Sequence, residues 1–270
     1  MNTSKRDKIA GALYGFVIGD AMGATTEFMD SWQIKKKYGQ VTNIIGGGWL
    51  RLKPGEVTDD TQMTMCVMHA LMNYPEDFKN FERLCADNFV EWFKSSPKDI
   101  GGQCARGIYE IVLGRRIGID NDALGNGSLM RALPCAILNK INYNFLQGKL
   151  THNNLKCDRI ILEYSDLIKT YLDGNFPYVP VTQLQEPTGY IQNTYNNSLY
   201  WSSKDSFEEA IIGAVNHGGD ADTIAAITGS LAGARFGYEN IPTRWINQLN
   251  PDVKIFLENF KKFVFSYLQI

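Results

Sequence analysis

The stretch NHGGDADTIAAITGSLAGA, residues 216–234, sets Asp220 and Asp222 one residue apart behind a Gly-Gly pair and follows them with a run of almost nothing but small residues. Side chains two apart point to nearly opposite sides of a helix. The two carboxylates therefore converge only if Asp220 lies in the turn before the helix, and Gly218 and Gly219 supply the backbone freedom for that turn. GEVTDDTQMTMCVMHALM, residues 55–72, repeats the device: Thr58, Asp59, Asp60 and Thr61 stand directly before an apolar-periodic run. Helix capping accounts for Thr and Asp at such positions, and acids suit the positive end of the helix dipole. But one cap needs one side chain, and each cluster offers two acids and a threonine. Four carboxylates that meet repel strongly unless cations hold them. Oxygen donors without His or Cys select hard ions, Mg²⁺ or Mn²⁺, and two such ions close together activate water. Each cluster is thus a candidate half of a two-metal site.

Composition narrows the class. Of 270 residues, 44% are hydrophobic and 21% charged, which is ordinary for a soluble globular chain. A formal net charge of -2 announces no surface for nucleic acid or anionic membrane. The five cysteines are odd in number and widely spaced, which argues against a disulfide framework and predicts a cytoplasmic protein. Cys66 and His69 share metal-like spacing, but no second pair completes a zinc site, so they read as helix packing residues. The apolar N-terminal stretch carries several glycines and runs into Asp20, too short to span a bilayer. Gly11, Gly15 and Gly19 recur every four residues. They line one helix face, and the close approach of another backbone explains them despite the cost of Gly inside a helix.

Most long segments read at a period of 3.6. FERLCADNFVEWF (81–93) puts Phe81, Leu84, Cys85, Phe89, Trp92 and Phe93 on one side. RIILEYSDLIKTYL repeats the pattern and stops at Asp173-Gly174. SFEEAIIGAVNHGG opens with a capping box, Ser206 with Glu209, and ends at Gly218. Pro251 stands at a plausible first helical position. VTNIIGGGW (41–49) is at most a short extended piece, and NFPYVPVTQLQEP (175–187) is a Pro-interrupted loop. The expected class is all-α, one domain across residues 1–270, in compact helical layers. LGNGSLMRALP (124–134) reads either as a turn before a helix or as an anion cradle of backbone N–H groups.

Together these pieces resemble the ADP-ribosylglycohydrolase family. GALYGFVIGDAMGATTEF is similar to its N-terminal signature, GEVTDDTQM to its first metal motif, GNGSLMRALP to its ADP-ribose loop and NHGGDADTIAAITGSLAGARFG to its second metal motif. SPKDIGGQC and LTHNN also match, and TGYIQNTYNNSLYW with IPTRW resembles the branch that acts on dinitrogenase reductase. The resemblance runs from about residue 8 to about residue 249. It implies a helical orthogonal bundle, two Mg²⁺ or Mn²⁺ ions in a cleft, and removal of mono-ADP-ribose from a modified side chain, most often arginine. By the same resemblance, Thr58, Asp59 and Asp60 are ligands from one side, and Asp220, Asp222 and Thr223 from the other. Glu27 matches the glutamate beside the metals, and Asp99 the aspartate that positions the guanidinium or a water. Gly101 and Gly102 let a ligand approach the backbone. Gly125, Asn126, Gly127, Ser128 and Met130 match the loop around the diphosphate, and His152 the histidine near ADP-ribose. Read alone, Glu27 is a helix-end surface charge and His152 a surface histidine. Asn216-His217 departs from the family pattern and puts His217 near the metals without making it a ligand. Three readings follow: an ADP-ribosylarginine hydrolase acting as a monomer on a modified protein; the same fold on a serine, threonine or small-molecule linkage; or a noncatalytic ADP-ribose or transferase binder, against which the intact acidic motifs argue.

Overall fold

The glycine ladder of the N-terminal segment and the small-residue run after Asp222 find each other. The computed structural model describes residues 4–115, 122–177 and 183–270. Within them α1 (Lys5–Gly23) and α11 (Ala221–Phe236) lie antiparallel in backbone contact. A Cβ added at Gly11, Gly15, Gly19 or Gly23 would fall 2.3, 2.2, 2.0 and 2.4 Å from the carbonyl oxygens of Gly233, Gly229, Ala225 and Ala221. The residue numbers descend by four on one helix as they climb by four on the other, so the two ladders interlock turn by turn. Both helices are apolar around nearly their whole circumference and buried along nearly their whole length, as helices at the centre of a domain must be.

The other helices wrap this pair: α2 (Ser31–Tyr38), α3 (Asp59–Asn73), α4 (Phe78–Lys94), α5 (Gly102–Val112), α6 (Leu133–Ile137), α7 (Ile141–Lys149), α8 (Leu155–Leu172), α9 (Ile191–Ser202), α10 (Phe207–His217), α12 (Thr243–Gln248) and α13 (Pro251–Leu268). α8, α9 and α10 pack on α11; α3 and α13 pack on α1 and on each other; α4 packs on α3, and α5 on α4. One contiguous core joins them, and the fold is a single compact all-α domain. Among the described residues, extended pairing amounts to three isolated bridges. VTNIIGGGW contributes one of them, Gly47 to Leu52, and no strand. The middle of the Pro-interrupted loop, 178–182, lies outside the described residues.

Local signals placed the ends of elements well. Ser206 Oγ accepts the Glu209 N–H at 3.1 Å to cap α10, α8 stops before Asp173-Gly174, and Pro251 opens α13. On α4, Phe81, Cys85 and Phe89 are fully buried, while Trp92 sits at the edge and donates its Nε1–H to Gln62 Oε1 at 2.7 Å. Cys66 and His69 both meet Asn88 of the neighbouring helix, in keeping with a packing role. No helix among the described residues is long and apolar enough to cross a membrane.

The α1–α11 contact is testable by one methyl group. Gly15→Ala sets a Cβ 2.2 Å from the Gly229 carbonyl, so the helices must separate, at a cost of about 1–3 kcal/mol or more for overpacking a well-filled core. Gly102→Ala, where a Cβ meets nothing within 4 Å, should leave stability unchanged. Urea denaturation of the two variants checks this; equal midpoints would remove the constraint.

Candidate active site

The close packing of α1 and α11 fixes where α11 begins. The chain leaves α10, turns at Gly218 and Gly219, and delivers Asp220 just ahead of the helix. Both glycines have positive φ, +83° and +63°, and a Cβ on either would lie about 2 Å from the carbonyl of Met29 or Pro187. Asp220 is the N-cap residue of α11, yet its side chain makes no capping bond. It accepts instead from Asn126 Nδ2. Capping therefore does not explain Asp220, and it lies in the turn as the Gly-Gly pair predicts.

α3 arrives by a different route. Its cap is Thr58, whose Oγ1 accepts from the Asp60 N–H at 3.3 Å and donates to Asp20 Oδ1 at 2.8 Å. Asp20, fully buried in the last turns of α1, also accepts the N–H groups of Thr58 and Thr61 at 3.1 Å. A carboxylate on the central helix thus fastens the N-terminus of α3 and leaves Asp59 and Asp60 to face the cavity. Asp59 accepts the Gly101 N–H at 3.2 Å and Asp60 the Thr223 hydroxyl at 3.1 Å.

The two clusters meet. Asp59, Asp60 and Asp222 each bring one oxygen to within 4.8 Å of the others, and Glu27, Asp220 and Asp222 do the same. Asp222 belongs to both groups. The oxygens Asp60 Oδ1 and Asp222 Oδ1 are buried without a donor, a costly condition for acceptors that a hard cation would relieve. The donor set is all oxygen, so the residues present fit Mg²⁺ or Mn²⁺. The N-terminal ends of α3 and α11 also point here, and their dipoles favour negative charge.

These acids line a cavity of about 410 Å³ together with Thr223, Asp99, Gly101, Gly102, Gly125, Asn126, Gly127, Met130 and His152. Glu27 is 5% exposed, not a surface charge: the buried hydroxyls of Thr25 and Thr26 bond Gly46 O and Val215 O and hold the turn after α1, and Trp49 donates its Nε1–H to Glu27 Oε2 at 2.7 Å. His152 is buried as well, with Nδ1 2.8 Å from Thr151 Oγ1. Burial, then the nearby Arg131 charge, pushes its pKa down to about 3, so the ring is neutral. Asp99 is half-buried and stands outside both three-acid groups. Around Gly101 and Gly102 there is open space where a side chain would be.

Three expected residues sit differently. Thr58 does not line the cavity, because its hydroxyl is engaged by Asp20 and the α3 cap. Ser128 is fully buried behind the loop, where its carbonyl accepts Gln147 Nε2 at 3.0 Å, so it offers no wall. His217 turns away from the acids: its ring packs on Trp201, 5.8 Å between centroids, and lines a separate depression beside α10.

Four further residues shape the site, and the sequence pattern does not single them out. Asp20 lies inside the N-terminal signature, where a lone acid in an apolar helix is the available signal. Arg131 closes the loop Gly125–Met130 from behind. Its guanidinium is fully buried, bonds Gly127 O at 2.7 Å, Gln147 O at 2.9 Å and Thr151 Oγ1 at 2.6 Å, and faces the Phe89 ring. Phe28 and Trp49 line the cavity mouth, which no local pattern announces.

The acids share one electrostatic condition. Burial, then the charge of neighbouring carboxylates, raises the pKa of Asp59 to about 7 and drives Asp60 and Asp222 well up. Burial raises Asp220 to about 6 against the opposing Asn126 hydrogen bond, and Glu27 to about 9 against that of Trp49. These groups hold protons more tightly folded than unfolded, where carboxylates titrate near ~4. In chelator, the fold should lose stability as pH rises from about 4 through these raised values. Added Mg²⁺ or Mn²⁺ should raise the melting temperature more at pH 8 than at pH 5. Asp222→Asn should raise the melting temperature in chelator at pH 8, by about 2–4 °C per kcal/mol of repulsion removed, and abolish the metal-induced shift. Scanning fluorimetry across pH reads this; a flat, metal-insensitive profile would mean the acids do not repel one another.

Comparison with known proteins gives the family and the fold. The sequence profile described as ADP-ribosylglycohydrolase matches residues 1–175 and 161–264. The ADP-ribosyl-(dinitrogen reductase) glycohydrolase of Rhodospirillum rubrum is 33% identical over 279 residues, covering 93% of each chain. The ADP-ribosylarginine hydrolase Tri1 of Serratia proteamaculans is 30% identical over 286 residues, covering 90% of this chain and 75% of the relative. A solved structure described as an ADP-ribosylglycohydrolase-related protein complex superimposes with a TM-score of 0.78 at 26% identity, covering 97% and 96% of the two chains.

Proposed function

Because this chain belongs to the ADP-ribosylglycohydrolase family, we propose that it hydrolyses the N-glycosidic bond between ADP-ribose and an arginine side chain of a modified protein, with two divalent cations held by Asp59, Asp60, Asp220, Asp222 and Thr223. The observation that carries this reading is the meeting of the two acidic groups through Asp222. The names of the two relatives, one a glycohydrolase for modified dinitrogen reductase and one an ADP-ribosylarginine hydrolase, support the linkage.

When bound, Mg²⁺ or Mn²⁺ would supply Lewis acidity toward ribose hydroxyls and water. The chain's own residues do the rest. Water attacks the anomeric carbon as the bond from that carbon to the guanidine nitrogen breaks, and one water proton ends on the departing arginine. Charge builds on the sugar as an oxocarbenium-like centre, which carboxylates facing it stabilise. Glu27, buried at the acidic end, is placed to orient the attacking water and, with its raised pKa lowered by bound cations, would take that water's proton and pass it to the departing arginine. Asp99, outside the acid groups, is placed to accept N–H bonds from the guanidinium and keep the leaving group charged. Backbone groups of Gly125 and Gly127 would give the diphosphate a neutral cradle, the Asn126 N–H being bonded to Gly189 O, and neutral His152 can donate or accept a single hydrogen bond beside it. A formal net charge of -2 agrees with a small-molecule cleft rather than a nucleic-acid partner.

The test uses ADP-ribosylated arginine, serine and threonine peptides with Mn²⁺, Mg²⁺ or excess chelator. Arginine release should need the cation, and the two hydroxyl linkages should be poor substrates. Asp99→Ala should cut arginine turnover on the order of a hundredfold while leaving the affinity for free ADP-ribose unchanged. Full turnover in chelator sinks the metal role, and cleavage of serine or threonine in preference to arginine sinks the linkage.

A further inference from the structure

Phe28 and Trp49 stand where the cavity opens, and packing explains neither. Phe28 is 66% exposed and Trp49 50% exposed. Their rings touch, 5.4 Å between centroids and tilted by 43°, and both line the cavity that holds the acids. Phe28 has a φ of +60°, a conformation that bulky residues rarely adopt and that glycine would hold with less strain. The turn is over-determined: the Phe28 N–H donates to Gly219 O at 2.7 Å, and the Gly219 N–H to Met29 O at 2.9 Å. The segment carrying Phe28 is thereby bolted to the turn carrying Asp220. Trp49 is delivered by Gly48, whose φ is +66° and whose Cβ would fall 2.1 Å from Ala24 O. At Phe28 the backbone strain ends in an exposed aromatic ring beside the cavity, and strain of this kind collects at ligand-binding sites.

We propose that Phe28 and Trp49 form an aromatic platform for the guanidinium group of the modified arginine, and that this platform favours the arginine linkage over hydroxyl linkages. The inference rests on the hydrolase reading above and names how that site recognises its leaving group. Connectivity says which end of the substrate the rings face. Trp49 is bonded to Glu27 and Phe28 to Gly219, so both belong to the acidic end of the cavity. The loop that suits a diphosphate meets that end through the Asn126 amide on Asp220, while its glycines lie against His152, where a Cβ at Gly125 or Gly127 would fall 3.1 or 2.7 Å from the ring. A group joined to the ribose at the acidic end therefore leaves past the aromatic pair. A guanidinium is planar and weakly hydrated, and it stacks on aromatic faces while its edge donates to a carboxylate. Asp99, on the same cavity wall as Ile100 and Gly101, supplies that carboxylate. A serine or threonine hydroxyl is neutral and has no flat face to offer the rings.

The experiment measures KM and kcat for an ADP-ribosylarginine peptide, the Kd of free ADP-ribose, and the melting temperature for the full chain with Mn²⁺. The variants are Phe28→Gly, Phe28→Leu and Phe28→Tyr. Phe28→Gly relieves the strained φ and should not lower the melting temperature. Gly and Leu should each raise KM on the order of tenfold, the scale of a lost cation–aromatic contact. They should hold kcat within about twofold, as removal of uniform binding does. The Kd of ADP-ribose should not move, and Phe28→Tyr should keep the wild-type KM. If Phe28→Leu retains the wild-type KM, the contact is plain apolar packing and the platform is wrong. If ADP-ribose affinity falls by the same factor as KM rises, the ring faces the nucleotide and the platform is likewise wrong. If the wild-type chain releases nothing from arginine, the proposed function fails first, whatever the variants do, and this inference fails with it.

Discussion

Everything at the site hangs on two helices that touch backbone to backbone. At Gly11, Gly15, Gly19 and Gly23 there is no space for even a methyl group against α11. Such a contact has almost no freedom to slide, because each glycine of one helix seats a carbonyl of the other. The register of α11 is therefore fixed along α1, and so is the height at which its first turn emerges. That turn carries Asp220 and Asp222. At the same level, α1 carries Asp20, which accepts three N–H or O–H donors from the start of α3 and thereby sets Asp59 and Asp60. One packing constraint thus locates both halves of an acid cluster whose members are far apart in the chain. Atoms of this kind must be held within about half an ångström to do chemistry, and buried helices in backbone contact are about the stiffest support a small domain can offer.

The cost of that arrangement is electrostatic. Buried acids crowd together with their charge opposed only by neutral donors: backbone N–H groups of Gly101, Thr58 and Thr61, the hydroxyls of Thr58 and Thr223, the Asn126 amide and the Trp49 indole. The buried guanidinium nearby, Arg131, makes no bond to any of these acids. Its partners are carbonyls, an amide, a hydroxyl and a thiol. A cation supplied by the protein would have closed the cluster permanently as a structural ion network. Without one, the charge is left to be answered by protons or by metal, and burial first, then that unanswered carboxylate charge, raises the acids' pKa values. Arg131 instead holds the carbonyl of Gly127 and the hydroxyl of Thr151 and so stiffens the neighbouring loop, and its charge adds to burial in keeping His152 neutral.

What can be read in the sequence is whatever depends on near neighbours or on a fixed period. Glycines four apart predict a close helix contact, and the Gly-Gly pair predicts that Asp220 sits in a turn; both hold because short-range sterics decide them. The capping arithmetic, two acids and a threonine for one cap, points to side chains left over for another task. It does not say which one caps; Thr58, a ligand by the family resemblance, is the residue whose hydroxyl the α3 cap and Asp20 engage. Ser128 and His217 show the limit. Each sits within a few residues of the cavity in sequence, and each faces away, because the direction of a side chain at a loop or helix end is set by partners far along the chain. The same reason hides Trp49 and Phe28. Nothing local says that GGGW meets TTEF; only the folded path brings them together at Glu27.

The site therefore divides into two mechanical parts with different tolerances. Its floor is made of buried carboxylates on helix starts, and a change there alters charge balance, register and stability together. Its rim is made of Phe28, Trp49 and Asp99, which extend from turns and are partly exposed. Rim residues contribute little to the core, although Trp49 also donates to Glu27, and under the proposed function they would meet the part of the substrate that differs between one linkage and another. The turns at Phe28 and at Gly219 are joined by hydrogen bonds, so the rim is still held in register with the floor. Under the proposed function, a fold built this way would keep one bond-breaking centre while a few side chains at the mouth decide the choice of leaving group. The strained φ of Phe28 is consistent with that division, since its cost falls on a turn and not on the helix pair beneath it.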